Sequence, residues 1–304
     1  MTDIQQIRAF NRTVTRRLGV LNEKYLGRDR PLAECRLLFE IGPPGAEVRE
    51  LRARLGLDSG FLSRMLRTLE HRRLVVTGSR SHDDGRVRFA RLTRSGTAEL
   101  RRLNTLSDDL AQSMLTPLTS EQARRLVAAM FEVERLLRAS SVEIATGAPS
   151  SADARCCLDQ YFAELARRFH GGYSGKLDRA AEVRDFVPPK GALLIARLFG
   201  TPIGCGGIRT LERRVAEIKR MWIAPSARGL GIGRRLLHEL EQCARRHRFR
   251  IIRLDTNESL TEALQLYRSS GYREIERYND NPYAHHWFEK ALAAKPAHLR
   301  RTHV

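Results

Sequence analysis

Apolar positions in the first 145 residues recur at helical spacing. Ile4, Ile7, Phe10, Val14 and Leu18 lie three or four residues apart, which predicts an amphipathic helix at the start of the chain. The same period predicts further helices at 48–55, 59–71, 95–114 and 120–144. Two short segments, 74–79 and 86–92, are predicted as strands of a hairpin because the Asp-Gly pair between them is a strong turn signal.

From residue 155 onward, apolar strand segments alternate with amphipathic helices. Strands are predicted at 192–198, 202–210, 215–223 and 251–256, followed by two closing strands, and helices at 158–168, 233–246 and 260–269. This order predicts an α/β layer around a mixed sheet. Residues 146–154 are small, turn-rich and without apolar periodicity, which predicts a linker. We therefore expect a multidomain chain with an all-α domain and small hairpin over 1–145, an α/β domain over 155–293 and a basic tail at 294–304.

Composition narrows the class of protein. The 304 residues are 42% hydrophobic and carry a formal net charge of +19, which is typical of a globular protein that meets anionic partners. Arginine codon choice in a GC-rich genome is the alternative explanation for part of this charge. Membrane spans need roughly 20 continuous apolar residues, which no segment approaches, and a secretory signal is not recognisable at the start. We expect a cytoplasmic protein without a membrane partner.

The cysteines and histidines do not predict a metal site. Five cysteines are scattered without the paired spacing of a disulfide framework or a zinc site. His285 and His286 are neighbours on a predicted strand, so their side chains point to opposite faces. We therefore expect no metal.

The predicted helices at 48–55 and 59–71 are separated by a tight turn at Gly56-Leu57. In the second helix an apolar stripe leaves one polar face, which consists of Ser59, Gly60, Ser63, Arg64 and Arg67. Small hydroxyls and arginines on an exposed helix suit the DNA major groove, because arginine can bond guanine with two donors. The following hairpin carries Arg86 and Arg88, which can reach phosphates or a narrow minor groove.

Over about residues 1–140 the chain resembles the multiple-antibiotic-resistance regulator (MarR) family of winged-helix repressors. The resemblance is carried by Ser63-Arg64-Met65-Leu66-Arg67-Thr68-Leu69-Glu70, by Asp83-Asp84-Gly85-Arg86 and by Leu92-Thr93-Arg94-Ser95-Gly96. It implies a winged helix-turn-helix domain, a homodimer that forms through the first and last helices, and binding to a palindromic double-stranded DNA operator.

A glycine-rich turn joins a strand to a helix in the second half. The segment Arg228-Gly229-Leu230-Gly231-Ile232-Gly233-Arg234 follows the predicted strand 215–223 and opens the helix. This arrangement directs backbone amides and the positive helix end at a phosphate. The spacing differs from the G-x-G-x-x-G of dinucleotide-binding folds, and the Gly-Lys-Ser/Thr of a nucleotide P-loop is missing.

This turn resembles the pyrophosphate loop of the GNAT acetyltransferases. A second segment, Ala263-Leu264-Gln265-Leu266-Tyr267-Arg268-Ser269-Ser270-Gly271-Tyr272, is similar to the family's Ala-x-x-Leu-Tyr-x-x-x-Gly-Phe/Tyr pattern, and the resemblance covers roughly 155–293. It implies the α/β acyl-CoA N-acyltransferase fold, acetyl-CoA as cosubstrate, and transfer to an amine of a small molecule or amino acid. It assigns to the cofactor Met221, Trp222, Ile223, Arg228, Gly229, Leu230, Gly231, Ile232, Gly233, Arg234, Asn257 and Leu264.

Attack of an amine on a thioester needs a proton acceptor, donors for the oxyanion and an acid for the departing thiolate. By family position Tyr267 is that acid, with packing of its helix against the sheet as the alternative. Glu217, on the strand before the turn, is the candidate base, acting through a water. Glu217 could equally bind a cationic substrate or pair with Lys219 or Arg220.

Together these patterns predict a bifunctional homodimer that regulates transcription and acetylates an amine. The alternative is a transcription factor whose second domain senses coenzyme A or an amine without catalysis. In a third interpretation the first half is only a dimerisation module.

Overall fold

The computed structural model describes residues 2–82, 85–169 and 184–292. The chain divides into two compact units, Met1–Phe131 and Glu132–Val304, which are described separately. The side chain of Arg86 and the basic tail predicted at 294–304 lie outside the described residues. Within the described ranges, no helix is both long enough and apolar enough to cross a lipid bilayer.

The first unit consists of helices around one small antiparallel sheet. Its helices are α1 (Asp3–Arg17), α2 (Leu32–Ile41), α3 (Val48–Leu55), α4 (Ser59–His71), α5 (Arg94–Leu115) and the first part of α6 (Ser120–Ser140), and its strands are β1 (Ala46–Glu47), β2 (Val75–His82) and β3 (Gly85–Leu92). From Glu132 onward α6 belongs to the second unit. The sheet order is β1-β3-β2. The predicted helices and hairpin are therefore present, with bounds shifted by a few residues.

A short turn fixes the start of α4. Gly56 ends α3 with a left-handed φ of 63°, and Asp58 caps α4 by accepting a hydrogen bond from the Phe61 amide at 2.9 Å. α4 buries the apolar stripe predicted from its sequence: Leu62, Met65, Leu66 and Leu69. Because this stripe packs into the core of the unit, the opposite face of α4 is left outward.

α1 and α6 contain no buried residue, although both carry large apolar side chains. Ile4 on α1 is 70% exposed and Phe131 on α6 is 69% exposed. The other exposed members of the two stripes are Ile7, Phe10, Val127, Met130, Leu136 and Leu137. In the part of the chain that the structure describes, these stripes are not covered.

The second unit is a seven-stranded mixed sheet with helices on both faces. Its elements are β4 (Val142–Gly147), α7 (Ala152–Arg168), β5 (Gly191–Leu198), β6 (Thr201–Glu212), β7 (Val215–Ile223), α8 (Ile232–Arg246), β8 (Ile251–Thr256), α9 (Thr261–Ser269), β9 (Arg273–Ile275) and β10 (His286–Ala291). The strand order is β4-β5-β6-β7-β8-β10-β9. β7 and β8 pair in parallel and their neighbours pair antiparallel, which confirms the predicted mixed sheet.

The structure differs from the sequence at the predicted linker. Residues 142–147 form β4, which pairs antiparallel with β5, and α7 begins at Ala152 behind a Ser151 cap. α6 correspondingly ends at Ser140 rather than at residue 144. β4 lies at the edge of the sheet, and Val142 is its one fully buried residue. Gly147 is small because a Cβ there would lie 2.7 Å from the Ile195 side chain.

Two apolar layers hold the helices to the sheet. α8 packs Leu236, Leu237 and Leu240 against Ile208 and Ile252 on one face. On the other face, Cys157 and Leu158 of α7 pack into a cluster with residues of β4, β5 and β6. Burial of such side chains contributes about 1.5–3 kcal/mol each. These layers fix the positions of β7, β8 and α8, from which the site is built.

Candidate active site

Two neighbouring strands part near the middle of the large sheet. β7 and β8 pair in parallel at Val215–Ile251, Ala216–Ile252 and Glu217–Arg253, and this ladder does not continue to the ends of the strands. β7 also carries a bulge opposite Gly206, where Arg220 adopts a φ of 58°. A bulge re-aims the side chains that follow it, and this one precedes Met221. The parting and the bulge together open a gap beside the end of β7.

Two cavities meet at this gap. The larger, about 600 Å³, runs along the glycine-rich turn and is called the turn cleft; it is lined by Met221–Ile223, Arg228, Gly229 and Gly231–Arg234. The smaller, about 300 Å³, is called the polar cavity; it is lined by Asp185, Arg209, Lys219, Asp255 and Asn281 among others. Six residues line both cavities: Tyr161, Leu165, Met221, Leu260, Ala263 and Tyr267. Ligands in the two cavities would therefore meet beside Tyr267.

The turn leaves backbone amides beside the larger cleft. Gly229 and Gly231 adopt φ values of 76° and 73°, a region that other residues enter at a cost. Gly231 begins α8 without a side-chain cap. The amide of Arg235 donates to the Gly231 carbonyl at 3.2 Å, so the amides of 232, 233 and 234 precede the hydrogen-bond ladder of the helix. Three unpaired donors at the positive end of a helix suit a phosphate.

Glu164, on α7, links the end of β7 to the first residue of this turn. Its carboxylate accepts from Nη2 of Arg228 at 2.7 and 2.6 Å, and from Nε1 of Trp222 at 2.9 Å. Burial opposes ionisation of Glu164, but the donors from Arg228 and Trp222 outweigh it and hold its pKa below the usual range. The sequence did not reveal Glu164, because one acidic residue on an amphipathic helix carries no signal of its distant partners.

This contact changes the role expected for Arg228. The resemblance assigns Arg228 and Trp222 to the cofactor, whereas Nη2 of Arg228 and Nε1 of Trp222 bond Glu164 in the structure. Arg228 also donates from Nε to the Ile223 carbonyl at 3.0 Å. Both residues line the turn cleft, so their side chains shape the turn, and the backbone supplies its donors.

Tyr267 lies where the two cavities join. Its ring is buried against Tyr272 and Phe288, with centroids 5.9 and 6.0 Å away, and its hydroxyl lies 3.8 Å from Sδ of Met221. The packing interpretation and the acid interpretation are therefore compatible, since the ring packs in the core and the hydroxyl lies beside a residue of both cavities. Burial, and secondarily Tyr161 and Asp255, raises the pKa of Tyr267. The phenol consequently keeps its proton at neutral pH.

The polar cavity is lined by interlocking ion pairs. Nζ of Lys219 contacts Oδ1 of Asp255, and Nδ2 of Asn281 donates to the other carboxylate oxygen at 2.5 Å. Arg209 donates to Asp185 at 2.7 Å. Burial opposes ionisation of Asp255, but the Lys219 ammonium and the Asn281 amide outweigh it and lower the pKa of Asp255. The cavity thus presents an ionised carboxylate beside Tyr267.

Glu217 is not among the residues that line either cavity. Its side chain is fully buried and accepts from Nε of Arg209 at 2.7 Å and from the Tyr278 hydroxyl at 2.9 Å. It also pairs with Lys219 at 3.1 Å, the alternative that the sequence left open. The Glu217 carboxylate is therefore enclosed by other side chains and has no exposed surface. The geometry does not support the role of base that the sequence assigned to Glu217.

Comparison with known proteins decides the family. The acetyltransferase (GNAT) family matches residues 158–272. The IAA acetyltransferase of Azospirillum brasilense is 33% identical over 118 residues, which cover 38% of this chain and 72% of that protein. The N-alpha-acetyltransferase RimI of Mycobacterium tuberculosis is 32% identical over 142 residues, which cover 46% of this chain and 84% of that protein. The chain belongs to the GNAT family.

It is therefore an N-acetyltransferase, and its mixed sheet with the parted β7 and β8 is the GNAT fold. Among solved structures, an acyl-CoA N-acyltransferase from Klebsiella pneumoniae is 28% identical and aligns over 50% of this chain and 98% of that chain, with a TM-score of 0.42.

Three expected cofactor residues of the acetyltransferase lie elsewhere. Asn257 lines the polar cavity, where its Nδ2 donates to the Tyr283 carbonyl at 2.7 Å and its Oδ1 accepts from the Ser259 amide. Leu264 is buried in the core, while Ala263 and Leu266 of the same helix line the turn cleft. Leu230 packs against the core on the side of α7. Neighbours on a helix point about 100° apart, which separates Leu264 from the lining positions.

Among the residues that the structure describes, no group of three or more His, Cys, Asp or Glu side chains is arranged to hold a metal ion.

The polar face of α4 lies on the surface of the first unit. Ser59, Gly60, Arg64 and Arg67 are exposed and Ser63 is half-buried. The Arg64 guanidinium stacks over the Phe61 ring at 5.8 Å, and Arg67 donates to the Ser63 carbonyl at 3.3 Å. Arg88, on β3, is also exposed. These residues are available to an external partner.

Proposed function

We propose that this acetyltransferase uses acetyl-CoA to acetylate an amine of a small molecule or amino acid, and that its first unit binds DNA as a homodimer. The enzymatic proposal is carried by one observation: the turn cleft and the polar cavity meet beside Tyr267. A cofactor enters from one side and an acceptor from the other, so the reacting atoms meet at a buried phenol.

In the turn cleft, the amides of 232–234 and the N-terminus of α8 would hold the diphosphate of acetyl-CoA. A backbone amide of Met221–Ile223 would hold the thioester oxygen as negative charge develops there. The acceptor ammonium first releases one proton to solvent, and the neutral amine nitrogen then attacks the thioester carbonyl carbon. Once the C–N bond has formed, the C–S bond breaks and Tyr267 donates its proton to the departing sulfur; the second proton lost by the nitrogen restores the phenol. The raised pKa of Tyr267 keeps that proton on the phenol until the thiolate appears.

In the polar cavity, Asp255 would bind the amine of the acceptor as an ammonium ion. The lowered pKa of Asp255 makes it a weak base and a good ionic partner, so its role is to bind and orient. Arg209 and Lys219 line the same cavity, which suits an acceptor that carries a carboxylate or another acidic group near its amine. An amino acid has this combination of charges.

The regulatory proposal rests on the first unit. The turn between α3 and α4, the exposed arginines of α4 and the hairpin β2–β3 support a winged helix-turn-helix of the MarR type, with α4 in the major groove and Arg88 near phosphates. The uncovered stripes of α1 and α6 support a homodimer formed through these helices. A symmetric dimer would select a palindromic operator.

Acetyl transfer is tested by incubating the full chain with acetyl-CoA and a panel of amines and amino acids, and by measuring released thiol. Turnover of one or more members is expected, and amino acids should be the better substrates. Binding of acetyl-CoA without turnover of any amine would instead support a coenzyme A sensor. Failure to bind acetyl-CoA at all would contradict the proposed cofactor site.

DNA binding is tested by selecting bound fragments from a random duplex library. The expected product is a palindromic consensus whose affinity falls steeply with salt, at roughly 0.9 in log–log slope for each phosphate contacted. Arg64→Ala with Arg67→Ala should abolish selection, whereas Arg101→Ala, an exposed arginine on α5, should leave it intact. Recovery of random sequence would leave the first unit as a dimerisation module.

A further inference from the structure

α6 ends against the turn that holds the proposed diphosphate site. Nη1 of Arg135 donates to the Gly229 carbonyl at 2.6 Å. From the other side, Arg235 of α8 donates to the Ala139 carbonyl at 2.5 Å and to the Val142 carbonyl at 2.9 Å. Three hydrogen bonds therefore tie the last turns of α6 and the start of β4 to the turn and to the helix that follows it.

The hydrogen bond from Arg135 restricts the backbone of the turn at Gly229, a residue that side-chain packing does not hold. Gly229 has a φ of 76°, and a Cβ placed on it would meet nothing within 4 Å, so packing does not hold this residue. The peptide group is planar, so fixing the Gly229 carbonyl also fixes the amide of Leu230 on the opposite side. Arg135 can therefore set the orientation of a peptide in the turn without touching a ligand.

Arg135 is itself held in place. Its Nε and Nη2 donate to the two carboxylate oxygens of Glu132 at 2.8 and 2.6 Å, one turn earlier on α6. The bidentate contact with Glu132 already restricts the Arg135 side chain, so little conformational entropy is lost when its third nitrogen bonds the Gly229 carbonyl. The orientation of Arg135 is therefore set by a contact within α6 and does not depend on the turn.

Arg135 lies before the segment that matches the GNAT family, residues 158–272. It belongs to a helix, Ser120–Ser140, within which the boundary between the two compact units falls. Arg135 lies after that boundary, so its contact with the turn is a contact within the second unit.

We infer that Arg135 is a positioning residue for acetyl-CoA, and that binding of acetyl-CoA and the order of the end of α6 are thermodynamically coupled. This inference rests on the proposed cofactor site. When Arg135 fixes the turn, diphosphate binding does not have to order it. Conversely, a bound diphosphate stabilises the contact between the turn and α6. Linkage makes the two effects equal in size.

The chain offers a matched control on the same helix. Arg124 pairs with Glu121 three residues earlier, as Arg135 pairs with Glu132, and Arg124 is far more exposed. Arg124→Ala and Arg135→Ala remove the same kind of helix ion pair, but Arg135→Ala alone removes a bond to the turn. Glu132→Gln keeps that bond and removes only the carboxylate that orients Arg135.

The first measurement is the affinity of the full chain for acetyl-CoA by calorimetry, with steady-state kinetics on the best acceptor. Arg135→Ala should weaken acetyl-CoA binding and raise its KM about fivefold to tenfold, as expected for the ordinary net contribution of one hydrogen bond, with kcat within twofold. Glu132→Gln should have a smaller effect in the same direction, and Arg124→Ala none. Equal affinities for Arg135→Ala and Arg124→Ala would overturn the positioning role.

The second measurement is amide hydrogen exchange over residues 132–140 with and without coenzyme A. Coenzyme A should slow exchange in this segment of the wild type and of Arg124→Ala, and should not do so in Arg135→Ala. Unchanged exchange in the wild type, despite saturation with coenzyme A, would refute the coupling. If the wild type did not bind coenzyme A, the proposed cofactor site would fail instead, so the two failures are distinguishable.

Discussion

The turn cleft and the polar cavity share six lining residues but are built in opposite ways. The turn cleft follows the backbone of one continuous segment, the end of β7 and the turn into α8, whose amides precede the helix. The polar cavity takes its polar groups from side chains that come from separate parts of the chain, such as Asp185, Arg209 and Asp255. One site depends on the conformation of a loop and the other on the placement of charges.

This difference matches the ligands proposed for them. A diphosphate is recognised by any set of converging amides, so a turn with the right φ angles is enough. An acceptor must be selected among many amines, and we propose that paired charges such as Lys219 and Asp255 provide that selection. Variants in the turn cleft should therefore change the affinity for acetyl-CoA, and variants in the polar cavity should change the kinetics of the acceptor.

The largest effect is expected at Tyr267, which lines both the turn cleft and the polar cavity. Tyr267→Phe removes the proposed acid and keeps the packed ring, so kcat should fall about a hundredfold, the ordinary contribution of general acid catalysis. The dissociation constant of acetyl-CoA, measured by calorimetry, should stay within twofold. A kcat close to that of the wild type would contradict the acid role and leave Tyr267 as a packing residue.

The next effect tests the polar cavity. Asp255→Asn removes the carboxylate proposed to bind the ammonium, so kcat/KM for the acceptor should fall by roughly thirtyfold, a loss of about 2 kcal/mol. Acetyl-CoA affinity should not change. Asp280→Asn, which alters an exposed carboxylate paired with Arg277, is the control and should leave both quantities unaffected. Weaker binding of acetyl-CoA in Asp255→Asn would mean that the two cavities are not independent.

The turn cleft is tested by backbone strain. Gly231→Ala forces a side chain into a φ of 73°, at a cost of about 1–2 kcal/mol, so acetyl-CoA should bind about tenfold more weakly. The KM of the acceptor should be unchanged. Gly233→Ala, in the first turn of α8 where φ is not positive, should raise the midpoint of thermal unfolding, whereas Gly231→Ala should lower it. Equal midpoints would argue against strain.

The smallest effect concerns Glu164 and depends on pH. Because its pKa is lowered in the folded state, the stabilisation from Glu164 is complete above its ordinary value of 4.5 and is lost as the pH falls through the lowered pKa. Glu164→Gln should therefore reduce the free energy of unfolding by about 1–2 kcal/mol at pH 7, and by less at each step below pH 4.5. Denaturant titrations at several pH values measure this difference, and a constant difference would contradict the assignment.

The sequence could predict the features that depend on local spacing, and it could not predict those that depend on partners distant in sequence. The stripe on α4 and the residues of the glycine-rich turn are local, so spacing along the chain was sufficient to find them. Glu164, Asp185 and Arg209 acquire their roles from partners far away in sequence, and no spacing identifies them. The sequence placed Glu217 on β7, but its side-chain partners Arg209 and Tyr278 are distant in sequence or lie on other elements, so its burial could not be predicted.

The end of α6 was misassigned for a related reason. The sequence predicted a helix through residue 144 and a linker from residue 146, whereas pairing with β5 makes residues 142–147 a strand. An edge strand buries little, so its sequence carries little information about its structure.

The six residues that line both cavities should also limit how this enzyme diverges. Asp185, Arg209 and Asn281 touch one cavity alone, so mutation could alter acceptor choice there while use of the cofactor persists. A substitution at Met221, Ala263 or Tyr267 would change the binding of both the cofactor and the acceptor. Among descendants with new acceptors, these shared positions are where the fewest substitutions should accumulate.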